Sequence, residues 1–166
     1  MDQAQGAIDA ARAAGADRYA TTEYLAATDA LKNANDAVAV GDYRLALNYA
    51  LESREQAQNA ARGAADAKAR VRGEVERSMN DISALIAQAR LRVTAAERAR
   101  VARRLLQPPR ADLLAAEASL QKAGEAVAAG DYLAARDTLS GVKERVQGAL
   151  EAINTTLAQR APARRR

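Results

Sequence analysis

Two segments of the chain place a hydroxyl and an amine one helical turn apart: Ser119-Leu120-Gln121-Lys122 and Ser140-Gly141-Val142-Lys143. In a Ser-x-x-Lys arrangement the amine can take the serine proton, which is how serine acylating enzymes make their nucleophile. That chemistry also needs a Ser-Asp-Asn or Lys-Thr-Gly partner segment and a glycine-rich loop for the oxyanion, and the sequence has none of these. Both serines fall within helix faces expected to be exposed. The chain contains no histidine and no cysteine, which excludes a Ser-His-Asp triad, a thiol nucleophile, a disulfide and a typical zinc site. The carboxylate pairs Glu52/Glu55 and Glu74/Glu76 lack the Glu-x-x-His element of a di-iron bundle site and read as solvated charges. The sequence therefore predicts no enzyme, no cofactor, no metal site and no small-molecule substrate.

A second constellation is basic. Arg90, Arg92, Arg98, Arg100, Arg103, Arg104 and Arg110 are opposed only by Glu97, and Arg164, Arg165 and Arg166 close the chain. Such a run can hold phosphates of nucleic acid or of anionic lipid, with Arg92, Arg100, Arg103 and Arg104 as the candidate contacts. No aromatic residue is interleaved for base stacking, and the formal net charge of +4 is modest. A solvated or partner-contacting helix face is thus the first reading, and a polyanion contact the second.

The elements that must position these residues are helices. About a quarter of the 166 residues are alanine, while glycine (9) and proline (3) are few, an inventory of long helices rather than sheets. A first helix is predicted over about Gln3 to Ala14, closed by Gly15 and followed by a turn to Ala20. Thr21 or Thr22 then serves as N-cap of a second helix reaching Val40, its apolar set being Leu25, Leu31, Ala34 and Val38. Gly41 and Asp42 reverse the chain, so the third helix, opened by Tyr43, lies antiparallel to the second. Nothing breaks that helix decisively before Gln107-Pro108-Pro109. Its stripe runs through Tyr43, Leu47, Ala50, Ala57, Ala61, Ala64, Val71, Val75, Met79, Ile82, Ile86, Ala89 and Val93. Gly63 and Gly73 are weak points where a fold-back is an alternative, and Leu91, Ala95, Ala102, Leu105 and Leu106 suggest a change of face near residue 91. A fourth helix follows to Ala129. Gly130-Asp131 turns it, and Tyr132 opens a fifth that carries Leu139, Val142, Val146, Leu150, Ile153 and Leu157 to about Gln159.

Sliding the chain by 89 positions aligns Leu25-Ala26-Ala27 with Leu114-Ala115-Ala116, Leu31 with Leu120, Ala34 with Ala123 and Ala37-Val38-Ala39 with Ala126-Val127-Ala128. Gly41-Asp42-Tyr43 then falls on Gly130-Asp131-Tyr132. These six are the structural turn residues of two predicted copies of one hairpin, each with an alanine seam and a tyrosine closing its end.

The segment Val40 to Tyr49 resembles the turn and second-helix start of a tetratricopeptide repeat, with Ala34 and Ala37 at that repeat's small packing positions; Ala30 stands where it has an aromatic. Over Ala14-Gly15-Ala16-Asp17-Arg18-Tyr19-Ala20 through Ala46 the chain is similar to an uncharacterised family of bacterial, alanine-rich, GDY-containing domains. Those domains occur in outer-membrane lipoproteins or ahead of an OmpA-like peptidoglycan-binding domain. Thr22 replaces that family's usual proline, and the second hairpin lacks the Ala-Gly-Ala element. The resemblance implies the bacterial envelope and no activity.

The expectation is an all-α protein of about five helices: a first hairpin unit over 1–70, a connecting long helix over 71–107, a second hairpin unit over 108–160 and a frayed basic tail over 161–166. The expected function is a non-enzymatic scaffold or adaptor that binds protein partners or itself, with binding of nucleic acid or anionic membrane through the arginine-rich segment as the alternative. Its expected place is the periplasm or outer membrane if a leader was trimmed, and otherwise the cytoplasm.

Overall fold

The computed structural model describes residues 1–160, and every regular element within them is a helix. In order these are α1 (Asp2–Ala13), α2 (Ala16–Tyr19), α3 (Thr21–Ala39), α4 (Tyr43–Arg98), α5 (Arg103–Ala128), α6 (Tyr132–Leu139) and α7 (Val142–Arg160). The predicted basic tail, Arg164 to Arg166 included, lies outside the described residues. The chain divides into two compact units, Met1–Arg70 and Val71–Arg166. The first half of α4 belongs to one and the second half to the other, and the helix has no break at Gly63 or Gly73.

The first unit is built on small side chains. Ile8 and Ala11 of α1, Ala16 of α2, Tyr24 and Ala27 of α3 and Ala57, Ala60 and Ala64 of α4 form its core, with Tyr19, Leu31 and Ala61 packed against it. Alanine at the seam keeps the bulk between α3 and α4 small, which permits close approach of their backbones. Ser53, wholly buried, uses that proximity: its Oγ donates to the Ala27 carbonyl across the seam at 2.7 Å. The Ala-Gly-Ala-x-x-Tyr-Ala segment also acquires a physical account. Gly15 takes φ +86°, and a Cβ there would stand 3.3 Å from the Tyr19 ring, so glycine supplies both the left-handed turn and room for the tyrosine. Residues 16–19, expected as an open turn, form a one-turn helix on the Gly15 carbonyl, which accepts from the N–H groups of Arg18 and Tyr19. Buried Tyr24 is held from its polar end, because Arg12 Nε donates to its hydroxyl at 2.8 Å.

The second unit follows the same plan with bulkier residues. Val71, Val75, Ile82, Ile86, Ala89, Val93 and Ala96 form a buried stripe along α4, so residues 71–98 are core and not a bare connector. Across them lie Leu106, Leu113, Ala116 and Ala123 of α5, Ala135 and Leu139 of α6, and Val142, Val146, Ala149 and Ile153 of α7; α5 packs on both α6 and α7.

Much of the geometry recurs 89 residues on. Gly41 and Gly130 have φ +79° and +76°. The Asp42 and Asp131 amides donate to Ala37 and Ala126 at 2.9 Å, and their Oδ1 atoms accept from the Leu45 and Ala134 amides at 2.9 and 3.1 Å. Buried Ala20, Tyr24, Ala27, Ala34, Ala46, Ser53, Ala57, Ala60 and Ala64 correspond to buried Pro109, Leu113, Ala116, Ala123, Ala135, Val142, Val146, Ala149 and Ile153. At a spacing of 85, buried Ala4, Ile8, Ala11 and Ala16 correspond to Ala89, Val93, Ala96 and Val101. Gly15 then falls on Arg100, which shares its positive φ (+56°). Ala99-Arg100-Val101 thus stands where the first unit has Ala14-Gly15-Ala16, without its glycine.

Several expected boundaries move. The long helix stops at Arg98, closed by the Arg100 turn, and Pro108-Pro109 lies inside α5. Only two successive N–H groups are missing there, so Arg104 and Leu105 lose their i+4 donors while buried Pro109 gains packing. The face does not change at residue 91: Val93 and Ala96 continue the stripe, and Leu91 is exposed. Neither threonine caps α3, whose N-cap is Ala20. On α3 the buried face is Tyr24, Ala27, Ala30, Ala34 and Ala37, which turns Leu25 and Val38 outward. Tyr43 does not close its hairpin end but stands 72% exposed. The expected fifth helix is two, α6 and α7, because Gly141 takes φ +72° after extended Ser140.

A non-glycine residue in the left-handed region costs roughly 1–2 kcal/mol. Arg100→Gly is therefore expected to raise unfolding stability by about 1 kcal/mol, and Gly41→Ala to lower it by a similar amount. Both effects should appear as opposite shifts of the urea midpoint at constant slope.

Candidate functional site

The arginine-rich segment does not form one continuous face. Helix α4 ends in it, the Arg100 turn reverses the chain, and α5 starts from it. Along α4, Arg90, Thr94 and Glu97 lie to one side of the buried Ala89–Val93–Ala96 stripe and Arg92 to the other, while Leu91 and Arg98 point away from it. On α5, Arg103, Gln107, Arg110, Ala111 and Leu114 line one shallow groove of about 490 Å³. An adjoining groove of about 410 Å³ is lined by Arg90, Val93, Thr94, Glu97, Arg110, Leu113, Leu114 and Glu117. Arg110 and Leu114 belong to both.

Ion pairing divides the arginines into two sets. Arg90 pairs with Glu117 at 2.6 Å and Arg110 with Glu97, each pair joining α4 to α5. These two arginines are stitches between helices. Arg92, Arg98, Arg100, Arg103 and Arg104 are exposed and pair with no acidic side chain among the described residues. Arg98, in the last turn of α4, sits favourably at the negative end of that helix dipole. Arg103 and Arg104 do the opposite. They occupy the first turn of α5, which holds no acidic residue and no side-chain cap, so their charges add to the positive end of the dipole. The structure thus sets Arg103 in the α5 groove, Arg100 and Arg104 beside it in sequence, and Arg92 on the far flank of α4.

Sequence reasoning missed the leucines of this region. Leu91, Leu105 and Leu114 are 73%, 50% and 67% exposed and are the exposed large hydrophobic residues among the described residues of the second unit. The signal is present for Leu91 and Leu105, which lie among the arginines, but the sequence reading takes them for a change of core face, and it uses Leu114 only in the hairpin alignment.

The two Ser-x-x-Lys pairs are not set for base catalysis. The Ser119 hydroxyl donates to the Ala115 carbonyl of its own helix at 3.1 Å. Ser140 is not within a helix face, as expected, but in the break between α6 and α7. It lines a groove of about 400 Å³ with Glu74, Ser78, Arg136, Lys143 and Glu144. Lys143 Nζ donates to Asp81 at 2.8 Å, and that bond together with the carboxylate's charge holds the ammonium above the usual lysine range. An amine kept protonated cannot take a serine proton at neutral pH. Of the carboxylates considered, Glu76 accepts from Arg72 at 2.7 Å, and no cluster of three or more potential metal-ligating acids occurs among the described residues.

The fold defines an all-α protein of two small helical units, in which none of the helices among the described residues is long and apolar enough to cross a membrane. Residues 1–74, which contain the first unit, match the family model of a domain of unknown function, DUF4398. No curated protein and no solved structure matches the chain.

Replacing Arg103 or Arg104 by Glu removes a like charge from the start of α5 and puts a favourable one there, an effect worth about 0.3–1 kcal/mol. Each variant is expected to unfold at a higher urea concentration than the wild type. For Lys143, Asp81→Asn should lower the ammonium's titration midpoint, followed by NMR at the Cε. Because the folded value is raised, the pair's contribution to stability is present below the ordinary lysine pKa and fades as pH rises through the raised one.

Proposed function

We propose that this protein is a non-enzymatic helical scaffold that binds a protein partner or a second copy of itself through an uncovered apolar stripe on the first unit. One observation carries this reading. Tyr43, Leu47 and Leu51 recur every four residues along α4, beside the buried Ala46–Ser53–Ala57 face, and all three are exposed. Fully covering such side chains is worth roughly 1.5–3 kcal/mol each. At the corresponding positions of the second unit stand Tyr132, Arg136 and Ser140, which present no such stripe. Leu25, Val38, Val40 and Leu45 add further exposed apolar surface on the same unit.

We take the chain to be two copies of one three-helix unit. The recurrence of turn geometry and buried positions supports this, and the tetratricopeptide-like character is confined to the Gly-Asp-Tyr hairpins. The copies have diverged in a way that suits a division of roles, one with the apolar stripe and the other with the exposed arginines. The likeness of residues 1–74 to a domain of unknown function agrees with the resemblance drawn from the Ala-Gly-Ala and Gly-Asp-Tyr segments. On that resemblance we place the protein in the bacterial envelope.

Sedimentation over a range of concentrations tests the stripe. Self-association that the Leu47→Glu/Leu51→Glu double variant abolishes supports the second-copy form. If the wild type stays monomeric, a photo-crosslinker at position 47 in cells should capture one defined protein, and that capture should be lost with Leu51→Glu. Association unaffected by the double variant, or no specific crosslink, would overturn the reading.

A further inference from the structure

We propose that the corner made by the end of α4, the Arg100 turn and the first turns of α5 is a docking surface for an anionic lipid bilayer. The argument is independent of the apolar stripe on the first unit and rests on three observations. Arg98, Arg100, Arg103 and Arg104, at the end of α4, in the turn and at the start of α5, are exposed and have no acidic partner among the described residues, so approach of a negative surface breaks no internal ion pair. Arg103 and Arg104 stand at the positive end of α5, in a first turn without an acid or a side-chain cap. A negatively charged surface there would relieve a repulsion that the folded protein otherwise carries.

The third observation selects the occupant. Leu114 is 67% exposed and lies in the same groove as Arg103 and Arg110. Nucleic acid backbones offer phosphates but no apolar phase for aliphatic side chains, and no aromatic residue lies between Arg90 and Arg110 to stack on bases. A bilayer interface offers both. Its headgroup phosphates accept from guanidinium groups, and the boundary beneath them takes up leucine. The non-glycine left-handed turn at Arg100 holds the two arginine-bearing helix ends in one short segment, joined by only four residues, 99–102.

The test is flotation of the full chain with phosphatidylcholine vesicles, with and without phosphatidylglycerol, at low and high salt. Binding is expected to the anionic vesicles alone and to weaken with salt. Each basic residue near such a surface is worth about 1 kcal/mol, a fivefold change in partition coefficient, so Arg100→Gln, Arg103→Gln and Arg104→Gln should each weaken binding about fivefold. Because these side chains make no internal ion pair, circular dichroism should show every variant folded. Leu114→Ser should also weaken binding, which a purely electrostatic contact would not. No flotation, equal flotation on neutral vesicles, or arginine variants that float like the wild type would overturn the proposal. So would a leucine variant that binds undiminished, or tighter retention of duplex DNA than of vesicles in a competition experiment.

Discussion

The structure depends on how closely two helices can approach when the residues between them are alanine. In the first unit Ala16, Ala27, Ala34, Ala57, Ala60 and Ala64 are buried almost completely, and the proximity they permit is measured by the 2.7 Å bond from Ser53 Oγ to the Ala27 carbonyl. Such a seam gains little from the transfer of large side chains out of water and much from many short contacts between backbones. It is correspondingly intolerant of added volume. It also uses up the inward-facing positions, so the larger apolar residues of the same helices, Leu25, Leu47 and Leu51, are left outside. The surface that carries the functional proposal is thus a direct consequence of the seam.

The second unit solves the same packing problem with more bulk. Where the first has Ser53, Ala57 and Ala64, it has Val142, Val146 and Ile153, all buried. Larger core residues leave less apolar surface elsewhere, and among the described residues of that unit only Leu91, Leu105 and Leu114 are exposed large hydrophobic residues. Those exceptions sit beside arginines without acidic partners. The two units therefore offer chemically different surfaces from one helical plan, which is the basis for assigning them different contacts.

The helical class, the two Gly-Asp-Tyr turns and the 89-residue correspondence were legible because they depend on local rules: glycine at positive φ, aspartate capping the next helix, and spacing of apolar residues. What was not legible depends on tertiary packing. Periodicity ranked Leu25 and Val38 above Ala27 and Ala30 as core residues, because hydrophobicity scales reward size while a close seam selects smallness. Pro108-Pro109 was read as a helix end because the local penalty is large; burial of Pro109 in α5 reverses that judgement. The end of α4 at Arg100 carries no glycine to announce it, and its correspondence in position with the Gly15 turn is visible only in the matching burial of Ala4, Ile8 and Ala11 with Ala89, Val93 and Ala96 and in the shared positive φ. Among the candidate contacts, the arginine cluster was legible from charge, whereas the separation of paired Arg90 and Arg110 from the unpaired five required Glu117 and Glu97 in three dimensions.

The most direct measurement compares two substitutions two residues apart on α3. If closeness at the alanine seam holds the first unit together, Ala27→Leu overfills it and should lower unfolding stability by about 1–3 kcal/mol or more, while Leu25→Ala, on the outward face, should change it by less than about 0.5 kcal/mol. The reverse ranking, with Leu25→Ala costly and Ala27→Leu neutral or stabilising, would contradict the account.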